Sequence, residues 1–266
     1  MRGGLERGEK GRQSMRNNMV RFTLLVLAAV LAPSLPARGE EADRSPNVVT
    51  LPDAFDPRDR VAVEAFTAAK ARLEEGRPAE AVEQFRKAAA FYEQKYNKPG
   101  VRYLCARSQQ EMAMVSAEFA LRPKRPEFRF VPILWASSYF WEGYVLIDLK
   151  KWSEARTALE HAISLSPRNA IFLSELGHIH QAKKDWPAAL ETFRRAEEAA
   201  AVSPRESRAE ELARALRGQG YALIAMGRLD EAEKLLNRCL NLDPNDRKAR
   251  GALTYIQRLR EKSGGK

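Results

Sequence analysis

Ser137-Ser-Tyr-Phe-Trp-Glu-Gly143 and Ile171-Phe-Leu-Ser-Glu-Leu-Gly177 lie 34 residues apart, and the likeness continues beyond them. Lys151-Trp152 recurs as Asp185-Trp186, Ala155 as Ala189, Leu159 as Phe193 and Ala162 as Ala196, all at the same spacing. A third copy holds Gly220, Gly227, Leu229, Ala232, Leu236, Cys239 and Asp243-Pro244, displaced by nine extra residues. A fourth lies upstream in Phe66, Ala69, Gly76, Ala81, Phe85 and Ala88. Self-similarity at a fixed period of this size marks an architecture of stacked repeats.

Within each copy the spacing is helical. Tyr139, Leu146, Leu159 and Ile163 supply the apolar stripes that two helices bury against each other. Small residues at the crossing points let the helix axes approach to about 8–10 Å. Gly76 and Gly227 stand where a first helix ends in a left-handed cap. One pair cannot bury its stripe alone, so neighbours must stack.

The pattern resembles the tetratricopeptide repeat, an antiparallel helix pair. Gly143, Gly177 and Gly220 match its helix-crossing glycine, Ala155, Ala189 and Ala232 its small mid-helix position, Ala162 and Ala196 its next small position, and Pro167 and Pro244 its closing proline. The resemblance implies an all-α fold, a right-handed superhelical solenoid over residues 58–262, with repeats at 62–95, 136–169, 170–203 and 213–246. Residues 246–262 read as a capping helix. Two breaks interrupt the period. Between Ala69 and Gly143 six residues exceed two periods, and 96–135 reads as a degenerate repeat with a helix near Val101–Leu121 and a basic loop, Arg122–Pro132. The nine extra residues around Ser203–Glu211 are expected to lengthen two helices.

The chain of 266 residues carries a net charge of +10, but seven basic residues against two acids precede Gly39. The remainder, at +5, favours solubility and loose attraction to anionic surfaces, and carries no nucleic-acid signature. Residues 1–39 read as a signal peptide: Arg16 and Arg21, then the apolar run Phe22–Ala32, then Ala37-Arg38-Gly39. The run has 11 residues, against the roughly 20 a spanning helix needs. The expectation is export to a bacterial periplasm, with an uncleaved inner-membrane anchor as the alternative. Met15 and Met19 offer later starts, and 40–57 reads as a polar linker.

Chemistry is sparse. His161, His178 and His180 are the only histidines, and the last two point to separate faces of a helix. No metal-binding, nucleophile-elbow or phosphate-loop motif occurs. The reading is therefore a non-catalytic protein with no cofactor. Asp185 reads as an N-cap. Cys239 takes the position of Ala162 and Ala196 and is expected to behave as a small hydrophobe, unpaired with Cys105.

The concave groove is the candidate site. One stripe of each first helix reads Phe66/Lys70, Phe140/Tyr144, Ser174/His178 and Arg217/Tyr221. This ladder of amphipathic rings with a cation suits a peptide or protein partner, the alternative being that the rings pack between repeats. The family's best-known variant clamps chaperone C-terminal carboxylates with Lys and Asn. Phe140, Tyr144, Ser174 and His178 at those positions argue against that role. The loop residues Arg122, Lys124, Arg125, Phe128, Arg129 and Phe130 offer a second surface, for peripheral contact with anionic lipid or cell-wall polymer.

Overall fold

The computed structural model describes residues 56–123 and 127–264; the expected signal peptide, nearly all of the linker, Lys124 and Arg125 lie outside them. Four helix pairs follow a short 3-10 turn, Pro57–Asp59. They are α1 (Arg60–Glu74) with α2 (Pro78–Lys95), α4 (Ile133–Asp148) with α5 (Trp152–Leu165), α6 (Ala170–Ala182) with α7 (Trp186–Ala200), and α8 (Arg205–Ala225) with α9 (Leu229–Leu242). Helix α10 (Arg247–Gly264) closes the stack. Between α2 and α4 stand β1 (Arg102–Leu104), α3 (Gln109–Ala120) and β2 (Phe128–Phe130).

Helix packing follows from side-chain size at single positions. A Cβ on Gly143 would lie 2.8 Å from Leu159, one on Gly177 2.8 Å from Phe193, and one on Gly220 3.0 Å from Leu236. Glycine lets these three pairs close to this distance, while Ala69 takes the same place in the first pair. Facing them, Ala81, Ala155, Ala189 and Ala232 are wholly buried, as are Ala88, Ala162, Ala196 and Cys239. Pairs stack through α2 on α4, α5 on α6 and α7 on α8. The first helices form a second row of contacts, α4 with α6, α6 with α8 and α8 with α10.

The turns inside the pairs share one backbone shape. Gly76 and Gly227 both have φ of 75°, and in the two middle repeats Lys150 and Lys184 hold the same place at φ 59° and 60°. A side chain with a Cβ is strained there. Replacing exposed Lys184 with glycine is expected to stabilise the fold by about 0.5–1 kcal/mol, the released strain exceeding the added chain entropy. Denaturant unfolding of Lys184→Gly would read it; a loss of stability would contradict it.

The first break in the period is not a helix pair. Residues 102–104 form a strand, and the helix begins only at Gln109, where the Ser108 side chain accepts from Glu111 N at 3.1 Å. The basic loop's second half is also a strand, parallel to the first, with Arg102 opposite Phe128, Tyr103 opposite Arg129 and Leu104 opposite Phe130. Phe-Arg-Phe alternates with period two, which suits a strand buried on one side. Phe128 and Phe130 accordingly pack on Leu104, Val115 and Phe119, with Arg129 facing out. The second break lengthens one helix rather than two: α8 has 21 residues against 13 in α6, while α7 and α5 have 15 and 14.

Candidate functional site

The first helices α4, α6, α8 and α10 contact one another in turn, and the predicted groove residues sit on them with unequal freedom. Phe140 is 3% exposed and stacks on Phe172 of the next repeat at 4.8 Å. Ser174 is wholly buried. Phe140 thus belongs to the packing between repeats, and Ser174 is closed off from the surface. Tyr144, His178, Arg217 and Tyr221 are half-buried, with part of each side chain at the surface. Tyr144 lies against Phe140 and Trp141. His178 meets the edge of Phe193 at 5.2 Å, and its Nδ1 lies 3.2 Å from Gln181 Oε1. Gln181 in turn donates to the Gly218 carbonyl at 2.9 Å. Arg217 pairs with Asp246, and the Tyr221 hydroxyl donates to the Lys248 carbonyl at 3.3 Å. Burial raises the Tyr221 hydroxyl above its usual pKa. In α1, burial lowers the Lys70 ammonium, with Glu74 opposing.

Other charges lie along this face. Arg214 of α8 reaches Glu175 of α6 at 2.5 Å. Sequence reasoning stops the ladder at Tyr221, but Tyr255 on α10 lies one further period of 34 residues along and is 51% exposed. Extending the count by one period finds it. Reading 246–262 only as a cap conceals it.

The expected basic loop is mostly structural among the described residues. Phe119 carries Phe128 at 5.3 Å and the Arg122 guanidinium at 4.1 Å from its ring centre. Arg129 pairs with Glu127 at 3.0 Å. Leu121, at 86% exposure, is the most exposed large apolar residue described.

A buried polar cluster has no counterpart in the sequence reading. The Arg107 guanidinium donates to Glu111 Oε1 at 2.6 Å, to both Glu211 oxygens at 2.7 and 3.0 Å, and to Ser203 Oγ at 3.2 Å. Ser203 Oγ donates to Glu211 at 2.6 Å, and Ser108 Oγ to the Val202 carbonyl at 3.1 Å. Arg208 bridges Gln110 and the Ser203 carbonyl. Burial raises the Glu111 carboxyl despite Arg107. Burial also opposes ionisation of Glu211, but Arg107 and the hydroxyls of Ser203 and Ser207 hold its carboxyl below the usual range. The insert thus grips α8 here. It also grips the second pair, where Cys105 N donates to the Leu165 carbonyl at 2.6 Å, Arg102 to the Ser164 carbonyl at 2.9 Å, and Arg168 to Glu118 at 2.6 Å. The two breaks in the repeat period meet in space.

Both cysteines are free thiols, and burial pushes the Cys105 thiol up to about 12 and the Cys239 thiol up to about 11. Among the described residues no cluster of His, Cys, Asp and Glu is arranged to hold a metal ion. Asp185 caps α7, accepting from Ala188 N at 3.2 Å. No described helix is long and apolar enough to cross a membrane.

Two stretches match family models described as tetratricopeptide repeat, residues 136–169 and 168–245. No curated protein matches the chain. Among solved structures, MamA from Desulfovibrio magneticus RS-1, residues 41 to the end, is similar at 16% identity and TM-score 0.51, over 75% of this chain and 85% of that one. Cut9, in the APC/C Cut9–Hcn1 hetero-tetramer, is similar at 17% identity and TM-score 0.51, over 77% of this chain and 31% of that one. The first tetratricopeptide-repeat unit of Spaghetti (RPAP3), bound to an HSP90 peptide, is similar at 22% identity and TM-score 0.41, over 47% of this chain and 91% of that one. The fold is an all-α solenoid of tetratricopeptide repeats.

Proposed function

Starting from tetratricopeptide repeats across 136–245, we propose that this chain is a non-catalytic scaffold that holds a peptide or partner protein along the face of its first helices. The observation that carries the reading is the row Tyr144, His178 and Tyr221, one ring on each of three successive first helices, each partly at the surface. Amphipathic rings on rigid elements bind with little loss of side-chain freedom. Phe140 and Ser174 support the row from behind rather than forming its surface. The leader-like residues 1–39 are what supports a location in the bacterial envelope.

The test is affinity capture from an envelope extract, with wild type beside the Tyr144→Ala/Tyr221→Ala variant. We expect the variant to retain its helical circular dichroism and lose the partner by about tenfold or more, as truncated aromatic hot spots do. Equal capture by both would sink the reading. Cell fractionation of the tagged chain tests the envelope assignment separately: cytosolic recovery would overturn that part alone.

A further inference from the structure

Helix α10 carries a surface that capping does not explain. Arg247, Gly251, Tyr255, Arg258 and Lys262 succeed one another at steps of four, four, three and four residues, which puts them on one face. The opposite face is buried through Ala249, Ala252 and Ile256. On the exposed face Arg247, Lys248, Arg258 and Lys262 make no side-chain ion pair among the described residues. Arg260, on the other side, instead pairs with Asp230 and Glu233. The only acid in the helix is Glu261.

Gly251 is the second observation. Glycine inside an exposed helix is unfavourable relative to alanine. Gly143, Gly177 and Gly220 have a packing reason, whereas a Cβ on Gly251 would meet nothing within 4 Å. A bare backbone in the middle of an exposed helix admits close approach of another chain. The position is also aligned with the groove: α10 contacts α8 as α8 contacts α6, and Tyr255 continues the row of Tyr144, His178 and Tyr221 by one more period.

We propose that α10 is the terminal rung of the binding face and takes an extended acidic segment of the partner protein. The segment's backbone passes over Gly251, its carboxylates meet Arg247, Lys248 and Arg258, and a side chain lies on Tyr255. The inference rests on the scaffold reading and adds the charge of the ligand and the end of the groove that recognises it. Single rings spaced one to a helix along the stack suit an extended chain, so anionic lipid enters only as an outcome of the test.

The experiment is anisotropy of a dye-labelled oligoglutamate peptide with the full chain, beside oligolysine and phosphatidylglycerol vesicles. Wild type should bind oligoglutamate, more weakly as salt is raised, and should ignore oligolysine. Lys248→Glu/Arg258→Glu should weaken binding at least about tenfold through reversal of two contact charges. Gly251→Glu fills open space and improves helix propensity, so it should stay folded and still weaken binding severalfold. Equal binding by wild type and both variants overturns the proposal, as does binding to vesicles but not to oligoglutamate. A captured partner that survives Gly251→Glu but is lost from Tyr144→Ala/Tyr221→Ala would defeat this proposal and leave the scaffold standing.

Discussion

Arg107→Ala should cost about 3–5 kcal/mol of stability, the usual result of removing one member of a buried ionic cluster. The expectation comes from what the substitution leaves behind. Glu111 is 1% exposed and Glu211 is 3% exposed, and Arg107 is the cation bonded to both. Without it two carboxylates face each other in a site that water hardly reaches. Both carboxyl pKa values would then rise in the folded state above their unfolded values. The folded variant would bind more protons than the unfolded chain, so its stability would fall as pH rises through that window. The deficit should therefore shrink on acidification towards the ordinary glutamate value of 4.5. Denaturant unfolding of wild type and variant across that range measures both effects. A deficit below about 1 kcal/mol, the size typical of an exposed pair, would show that the cluster does not hold the insert to α8. Hydrogen exchange adds a spatial check: protection should drop first around 102–120 and 201–212, the two segments the cluster joins.

Phe193→Ala should bring another large loss, about 3–5 kcal/mol for a wholly buried ring. Phe193 stands where two sister repeats have leucine, Leu159 and Leu236, and where the first has Phe85, and its ring is fully buried. Two glycines accommodate the extra size. A Cβ on Gly177 would lie 2.8 Å from the ring, and one on Gly218 only 2.3 Å. Gly218 stands beside the family-position Gly220 and has no glycine counterpart in the earlier copies, where Trp141 and Glu175 fill the same place. Gly218→Ala should therefore destabilise by about 1–3 kcal/mol through overpacking, and Phe193→Leu should remove most of that penalty. A double-mutant cycle reads the coupling. Additive costs would mean that ring and glycine were not matched to each other.

The two sites differ in how far the sequence announces them. The helix pairs, their register and their crossing points are legible because each is set by the size of one residue, repeated at 34 positions in the two middle copies and at a displaced position in the others. Gly143, Gly177 and Gly220 are needed where backbones touch, and the left-handed turns at Gly76 and Gly227 need a residue that tolerates positive φ. These are local demands, so periodicity reveals them. The same periodicity locates Tyr144, His178 and Tyr221 on one face and, carried one step further, Tyr255.

Tertiary structure alone decided the rest. Two residues of the predicted groove lie below its surface: Phe140 is taken up by contact with Phe172 of the next repeat, and Ser174 is wholly buried. Three-residue strands such as β1 and β2 are too short to hold against a helical reading until they pair with each other and with the core under α3. The Arg107–Glu211 contact joins residues 104 positions apart, and nothing local marks either partner, since a buried arginine and an exposed one read alike. Along the chain, the break of six extra residues and the break of nine stand far apart as unrelated irregularities. Stacking brings their segments together on one edge of the solenoid, where buried charge makes each necessary to the other.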